Sequence, residues 1–310
     1  MNSNSESPFV SVVIPVYNDL EGVKSCLEAL ARQSYPGSNF EVIVVDNNSP
    51  RPIAPEIQRF EFARCVVERR QGSYAARNAG IREARGELLG FTDADCIPDE
   101  NWITRAVQCF VENPPVGGVA GGIISAPGET WVGEVLCTWG FQSQDGTLKH
   151  PFLPYAQTAN AWYRREVFDI IGLFEPGWVS GGDADLAWRM QLKTSFSISH
   201  VPEAAVVHRH RATLKSLFKQ CWKWGYGQAA LSRKYNQLKA IKSSENIFNR
   251  LYSIAHLAAF VTARSFQETF WGRDFEQKPE HIVRLALKTG LELGRICGKV
   301  SKPPQKSRKW

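Results

Sequence analysis

Short apolar runs rich in valine and isoleucine alternate with helical patterns along the N-terminal third of the chain, and this alternation constrains the fold most. The runs Val10–Val16, Glu41–Val45 and Glu87–Phe91 are typical of strands buried in a sheet. Apolar residues recur at helical spacing between them, from Val23 to Ala31 and from Tyr74 to Arg85. Strands that alternate with helices predict an α/β fold with a mainly parallel, helix-covered sheet.

Polar residues follow these strands where each one ends, at Asn18, Asp46 and Asp93. Right-handed crossovers bring the carboxyl ends of successive parallel strands to one edge of the sheet, where α/β proteins bind ligands. We therefore expect these three residues to converge at a ligand site.

Asp93 and Asp95 are the most informative pair, because they follow the apolar run Leu88–Thr92 directly. Two carboxylates at a sheet edge repel each other and lose hydration unless a cation joins them. A hard divalent ion that also binds diphosphate oxygens would suit them. Taken alone, the motif would equally fit a surface turn with two solvated acids.

The first two strand ends suggest a nucleoside site. Pro15 fits where a strand stops, because proline cannot donate to a ladder. Tyr17 could lie against a base, Asn18 could read its edge, and Asp46 could accept from a base N–H or a ribose hydroxyl. A simple turn and helix capping by Asp46 are the structural alternatives.

Arg77 and Asp183 are the next candidates. Arg77 lies among small residues at a helix opening and offers a planar fork to phosphate, although pairing with a surface acid is common. Asp183 follows Gly181 and Gly182 at the start of a predicted helix, where it could act as a general base or only as a cap. Asp185 is predicted to pair with Arg189 at helical spacing, a structural role.

Two later segments could complete a site. His208 ends a predicted strand, 204–208, and could join Asp95 as a metal ligand. His210 would lie on the same face if the chain stays extended, and is the other candidate. Trp222 belongs to an aromatic and basic segment, Gln220–Gly227, whose rings could pack against a bound sugar. Each has a plain alternative, since lone histidines and helical tryptophans are more often packing residues.

Together and in this order, these residues resemble the family 2 glycosyltransferases, which have the GT-A fold, over Val10–Gly227. The resemblance implies a Rossmann-like α/β domain that binds a nucleotide sugar and a divalent cation, Mn or Mg. It implies three kinds of site residue in addition to the base Asp183. These are donor-binding Pro15, Tyr17, Asn18, Asp46, Arg77 and Asp93, metal-binding Asp95 and His208, and acceptor-binding Gly182 and Trp222.

The sequence departs from the family pattern at two positions. Gly182 stands where the family carries the first acid of its Glu-Asp motif, which alters the hydrogen bonding around Asp183. Lys223 replaces the arginine of the QxxRW segment of processive synthases, which favours transfer of a single sugar. The resemblance thus implies an inverting transferase in cell-surface, exopolysaccharide or glycolipid synthesis. A sugar nucleotidyltransferase and a non-catalytic nucleotide-sugar-binding protein are the alternatives.

Composition sets the expected organisation. Residues 1–204 hold 16 Lys and Arg against 25 Asp and Glu, whereas residues 205–310 hold 21 against 6. We expect a flexible N-terminus (1–8), a catalytic domain (9–227), a helical C-terminal region (228–300) and a basic disordered tail (301–310). The helical candidates Ile247–Phe270 and Ile282–Ile296 carry apolar stripes with scattered cations.

The basic C-terminal part predicts a polyanionic neighbour. An anionic membrane surface is one candidate, and an ordinary helical cap packed on the catalytic domain is the alternative. No nucleic-acid motif accompanies the charge, so specific nucleic-acid binding is not expected. Seven scattered cysteines indicate reduced thiols and therefore a cytoplasmic protein. If the C-terminal helices bind lipid, the protein would be peripheral at the inner face of the membrane. The expected partners are a nucleotide-sugar donor and a saccharide or lipid-linked acceptor. The loops of 130–159 would contribute to the choice of acceptor.

Overall fold

A computed structural model describes residues 7–236, 249–252, 254–256, 258–259 and 280–300 of the 310-residue chain. Three predicted segments therefore lie wholly or mostly outside the described residues. They are the flexible N-terminus, the basic tail and the helical candidate 247–270. All seven cysteines lie within them and are free thiols.

Eight strands in the described ranges form one sheet, in the spatial order β3-β2-β1-β4-β7-β6-β8-β5. The strands are β1 (Val10–Val16), β2 (Phe40–Asp46), β3 (Ala63–Val67), β4 (Leu88–Thr92), β5 (Cys96–Pro98), β6 (Val116–Ser125), β7 (Asn160–Arg164) and β8 (Ser197–His208).

Helices account for most of the remaining described chain. They are α1 (Leu20–Leu30), α2 (Ala54–Ile57), α3 (Ser73–Glu83), α4 (Trp102–Glu112), α5 (Trp131–Thr138), α6 (Asp145–Leu148), α7 (Arg165–Ile171), α8 (Gly182–Lys193), α9 (Leu214–Lys234) and α10 (Glu280–Val300). The candidate Ile282–Ile296 lies within α10. No helix in the described parts of the chain combines the length and the apolarity needed to cross a bilayer.

The predicted parallel strands form one half of the sheet. β1 lies between β2 and β4, and β3 pairs with β2, all in parallel. Every residue of β2 is buried, and β1 is buried apart from a half-exposed Pro15, as expected for strands covered on both faces. Apolar residues of these strands pack with those of α1 and α4 in one core.

The other half of the sheet is antiparallel, and the alternation of strands and helices did not predict it. β7 runs antiparallel to both β4 and β6, and β5 runs antiparallel to β8. β5 was not predicted as a strand, and β8 was expected only from residue 204 onward. Gly90 of β4 lies opposite Trp162 of β7, where a β-carbon would come within 2.7 Å of the indole ring.

Contacts among the described residues divide the chain into two compact units. The first takes its residues from Met1–Ile124, Gln142–Gly177 and Gly182–His208, and the second from Ser125–Phe141, Trp178–Gly181 and Arg209–Trp310. The predicted domain boundary after Gly227 lies within α9, which is continuous from Leu214 to Lys234. The functional boundary stays a prediction.

The second unit is built on the pair α9 and α10 together with α5. Its core contains apolar residues of all three helices, among them Leu136, Leu217 and Val283. Glycines let the backbones of α9 and α10 approach closely, since a β-carbon at Gly294 would overlap the carbonyl oxygen of Trp222. The indole ring of Trp222 lies 5.5 Å from the ring of Tyr226, centroid to centroid.

Candidate active site

The ends of β1 and β2 meet as the alternation predicted. Val16 pairs with Asp46 in the parallel register. Ser49 Oγ accepts from the N–H of Asn18 at 2.9 Å, which joins the loops after these strands, and Asp46 Oδ1 accepts from the backbone N–H of Ser49 at 2.9 Å within the second loop. Asn18 takes a left-handed conformation with φ 52°, which asparagine tolerates. Tyr17 projects from this edge with 55% of its surface exposed.

Asn47 fastens the neighbouring loop to this edge, a role that was not predicted. Its buried side-chain amide donates to the carbonyl oxygens of Glu68 and Arg70, and its Oδ1 accepts from the N–H of Gly72. Gly72 is the N-cap of α3. Asn47 therefore links the end of β2 to the start of the helix that carries Arg77.

Arg77 connects the two acidic motifs. Its buried guanidinium donates to Asp93 Oδ1 at 2.5 Å and lies above the ring of Tyr74, 5.6 Å from the ring centroid. Burial raises the pKa of Asp183, and the charge of Arg77 partly opposes that rise. The alternative was that Arg77 pairs with a surface acid, and the acid that it pairs with is the partly exposed Asp93, a residue of the predicted donor site.

Glycine lets α3 lie directly on the sheet and so aims Arg77 at its edge. A β-carbon at Gly80 would overlap a methyl group of Val13, a residue of β1. The helix backbone therefore rests against the strand, three residues after the arginine. This close contact explains why the residues around Arg77 are small.

Asp183 occupies the first turn of α8 and is half-buried. Its Oδ1 accepts from the N–H of Ala184 at 3.0 Å and from the hydroxyl of Tyr74 at 3.4 Å. Burial raises the pKa of Asp183 above its ordinary value of 3.8, while the Ala184 N–H, Arg77 and Tyr74 oppose that rise. A carboxylate held this way can take a proton from a hydroxyl once it is ionised.

Asp185 has the structural role that its spacing predicted. Its buried carboxylate accepts from Arg189 Nε at 2.9 Å. The Arg189 guanidinium in turn donates to the carbonyl oxygens of Ile171 and Leu173. The pair thus fixes the loop after α7 to α8, and among the described residues Asp183 is the acid of this motif that forms no ion pair.

Asp95 and His208 come together through the pairing of β5 with β8. Cys96 lies directly opposite His208 in that antiparallel pair, so Asp95, one residue earlier, is next to the imidazole. His208 Nε2 lies 3.6 Å from Asp95 Oδ1. The ligand atoms of Asp95, Cys96 and His208 all lie within 4.8 Å of one another, a spacing that could accommodate a metal ion.

The remaining predicted residues have these positions. Pro15 lies in β1, two residues beyond the last residue that pairs with β4. Gly182 is buried at the start of α8 against the ring of Tyr74. Trp222 lies on α9 in the second unit, and His210, also in that unit, packs against Phe141. His208 is therefore the histidine that the structure places beside Asp95.

Three residues at the site were missed from the sequence, namely Tyr74, Cys96 and Asn47. Tyr74 had a usable signal, because it precedes Arg77 by three residues and so shares its helix face. Cys96 is adjacent to Asp95, but its position opposite His208 depends on a strand pairing that was not predicted. Asn47 had no signal beyond its place after a strand.

Known proteins match the chain in sequence. The family model described as "Glycosyl transferase family 2" matches residues 11–172. Glycosyltransferase AglE of Haloferax volcanii is 32% identical over 72% of this chain and 74% of its own length. The pre-mycofactocin glycosyltransferase of Mycobacterium tuberculosis is 28% identical over 73% of this chain, and the match spans only 48% of that relative.

Solved structures match in fold. A mannosyltransferase from Pyrobaculum calidifontis, solved with GDP-Man and Mn2+, has a TM-score of 0.66 and 20% identity, covering 95% of this chain and 88% of that one. S. aureus TarS residues 1–349, solved with UDP-GlcNAc, has a TM-score of 0.53 and 16% identity, covering 93% of this chain and 90% of that one.

Proposed function

The chain belongs to the family 2 glycosyltransferases and has their GT-A fold, and we propose that it transfers a single sugar, with inversion, from a nucleoside diphosphate sugar to a hydroxyl acceptor. The observation that carries this proposal is the position of Arg77. Its guanidinium binds Asp93, and Tyr74, three residues earlier on the same helix, donates to Asp183, so the proposed donor motif and the proposed base are reached from one helix.

The nucleoside of the donor would bind at the ends of β1 and β2. Asp46 is buried to 6% exposure and is held by the Ser49 N–H, so one carboxylate oxygen is oriented. The exposed ring of Tyr17 could lie against a base, with Pro15 and Asn18 beside it. Buried polar groups fixed in this way suit recognition by hydrogen bonds.

Asp183 would act as the general base. It would accept the proton of the acceptor hydroxyl as that oxygen attacks the anomeric carbon from the side opposite the diphosphate. The carbon–oxygen bond to the diphosphate then breaks, and a single in-line displacement inverts the anomeric centre. General bases contribute roughly 10²–10⁴-fold to such rates.

Asp95 and His208 would hold a divalent cation with the diphosphate of the donor. A carboxylate oxygen and an imidazole nitrogen suit Mn²⁺ or Mg²⁺ with phosphate oxygens as further ligands. The chemistry that the cation supplies is stabilisation of negative charge on the leaving diphosphate. Arg77 pairs with the carboxylate of Asp93, two residues before Asp95.

A lipid-linked or saccharide acceptor is supported by the names of relatives. A relative from Methanococcus voltae, 22% identical over 73% of this chain, is named as a transferase to dolichyl N-acetyl-alpha-D-glucosaminyl phosphate. Another, from Arabidopsis thaliana, is named a probable glucomannan 4-beta-mannosyltransferase. Single-sugar transfer rather than polymer extension is supported by Lys223, which stands where processive synthases carry arginine.

The test is a product analysis with GDP-mannose and UDP-N-acetylglucosamine as donors, Mn²⁺ or Mg²⁺, and a panel of sugars and polyprenyl phosphate sugars as acceptors. We expect release of the nucleoside diphosphate and a product carrying one sugar with inverted anomeric configuration by NMR. Release of inorganic diphosphate from a nucleoside triphosphate and a sugar phosphate would instead establish a nucleotidyltransferase.

The exposed lysines of α9 support a membrane-proximal enzyme. Lys215, Lys219 and Lys223 recur every four residues and so share one helix face. Each lysine near an anionic surface contributes about 1 kcal/mol to binding. We expect the wild-type protein to float with vesicles containing anionic lipid, and the triple charge reversal of these lysines to glutamate to reduce the bound fraction at least about 10-fold.

A matched control for this flotation experiment is the charge reversal of Arg32, Arg82 and Arg105, which are exposed in the first unit. The control changes the net charge by the same amount and should leave vesicle binding intact. Equal loss of vesicle binding in both triple variants would indicate only an effect of net charge. If the wild-type protein does not bind vesicles, the alternative that the C-terminal helices only pack on the catalytic domain would be favoured.

A further inference from the structure

Tyr74 reaches the presumed base from a different segment of the chain. It lies in the first turn of α3, three residues before Arg77 on the same helix face. The residue is buried, and its hydroxyl donates to Asp183 Oδ1 at 3.4 Å. The distance is long for a hydrogen bond between oxygens.

The ring of Tyr74 is held in place by its neighbours. It stacks on Phe174 with 5.5 Å between the ring centroids, and the Arg77 guanidinium lies 5.6 Å from its centroid. Phe174 is itself clamped, because Asn78 donates to its carbonyl oxygen and accepts from its N–H. The hydroxyl is therefore aimed at Asp183 by packing and not by a free side-chain rotation.

Gly182 makes room for this ring. A β-carbon at position 182 would lie 2.8 Å from the nearest ring carbons of Tyr74. No side chain can therefore stand at position 182 while Tyr74 keeps its place. This is the position at which the sequence pattern of the family predicts an acid and this chain carries glycine.

The exchange of an acid for a tyrosine hydroxyl has an electrostatic consequence. A carboxylate next to Asp183 would repel the charge that forms on it, whereas a hydroxyl donates to the ionised form and stabilises it. Burial and the nearby Asp183 raise the pKa of Tyr74 well above its ordinary range, so the hydroxyl keeps its proton and remains a donor.

We propose that Tyr74 is the positioning residue of Asp183 in this chain and that glycine at position 182 is what admits it. The hydroxyl orients the carboxylate toward the acceptor and holds it ionised. The inference rests on the proposed function only in naming Asp183 as the base, since the contact between the two side chains is independent of substrate.

The first test needs no substrate. Protein labelled with ¹³C at the aspartate carboxyl carbons is titrated by NMR, and the Asp183 resonance is assigned by its absence in Asp183→Asn. In Tyr74→Phe, which keeps the ring, we expect the titration of Asp183 to move to higher pH by about half a unit or more, because the ionised carboxylate loses a donor. Gly182→Ala should move it in the same direction by displacing the ring.

Tyr163→Phe is the matched control. Tyr163 is also buried, and the charge of Asp183 also raises its pKa, but its hydroxyl makes no hydrogen bond within the described residues. Removing this hydroxyl should therefore leave the Asp183 titration where it is in the wild type. Equal titrations in wild type and Tyr74→Phe would overturn the inference, as would equal shifts in both tyrosine variants.

The second test measures the pH profile of sugar transfer or, with water as the acceptor, of GDP-mannose or UDP-N-acetylglucosamine hydrolysis. We expect the acidic limb of kcat/KM in Tyr74→Phe to move with the NMR titration, while KM for the donor stays within about 2-fold. An NMR shift together with full activity of Asp183→Asn would retain the contact but refute the base, so failure of the proposed function is distinguishable from failure of this inference.

Discussion

Asp183→Asn should lower the rate of sugar transfer by about 10³-fold or more and leave donor binding almost unchanged. The amide cannot accept the proton of the acceptor hydroxyl, and loss of a general base costs roughly 10²–10⁴-fold. The substitution keeps the size of the side chain, and an oxygen still accepts from the Ala184 N–H. Donor affinity, measured by calorimetry with the nucleoside diphosphate and Mn²⁺, should stay within about 3-fold of wild type.

Asp185→Asn is the informative comparison, because it changes the neighbouring acid of the same helix. It breaks the buried pair with Arg189, which anchors the loop at Ile171 and Leu173. Its main effect should be on stability, because a buried charge that loses its partner costs about 3–5 kcal/mol. Asp183→Asn should instead unfold at nearly the wild-type temperature. Loss of donor affinity in Asp183→Asn would contradict its role as the base.

The pH dependence of the wild-type enzyme follows from the surroundings of Asp183. Burial raises its pKa, so the carboxyl stays protonated, and unable to act as a base, up to a higher pH than an exposed aspartate. Activity should therefore fall on the acidic side at a pH above the ordinary value of 3.8 for this group. Asp183→Asn should remove that limb from the residual activity.

The parallel half of the fold could be predicted from sequence because its signals are local. Each of the strands β1, β2 and β4 is a largely apolar run with a polar residue at or shortly after its end, and helical spacing lies between them. The prediction that Asn18, Asp46 and Asp93 lie at one edge of the sheet followed from the geometry of right-handed crossovers.

The antiparallel half could not be predicted in this way. Residues Ser197–Glu203 of β8 include Ser197, His200, Pro202 and Glu203, which have no strand-like alternation of their own. They are extended because other strands of the sheet pair with β8, and such pairing is set by residues distant in the chain. The three-residue β5 is likewise defined by its partner β8.

The candidate site shows the same division. The identities of Asp93, Asp95, Asp183 and His208 were visible as residue types at strand and helix ends. Their connections were not, because Arg77 could equally have met an acid elsewhere, and the contact of Tyr74 with Asp183 joins residues 109 positions apart. Sequence spacing describes a single element, whereas these contacts depend on how elements pack.

Removing the proposed metal ligands Asp95 and His208 should have the second large effect. Asp95→Asn and His208→Ala should each weaken Mn²⁺-dependent binding of GDP or UDP by about 10–100-fold, and chelator should suppress transfer by the wild type. The carboxylate and imidazole lie 3.6 Å apart at the pairing of β5 with β8, so one cation can reach both. Loss of a residue that only supports a metal ligand typically costs about 10–100-fold in metal affinity, so loss of a ligand should cost at least as much.

Two further variants sharpen this experiment. Glu100→Gln removes an exposed acid five residues after Asp95 and should leave Mn²⁺ affinity unchanged. Cys96→Ser replaces the thiol of the Asp95, Cys96 and His208 group and should preserve the response to Mn²⁺, because hard cations favour oxygen and nitrogen ligands. Binding is measured by calorimetry and by the electron paramagnetic resonance of free Mn²⁺. Two results would remove the metal from the proposed reaction: full turnover in excess chelator, or wild-type Mn²⁺ binding by both Asp95→Asn and His208→Ala. Arg77 would then be the principal cation of the proposed donor site.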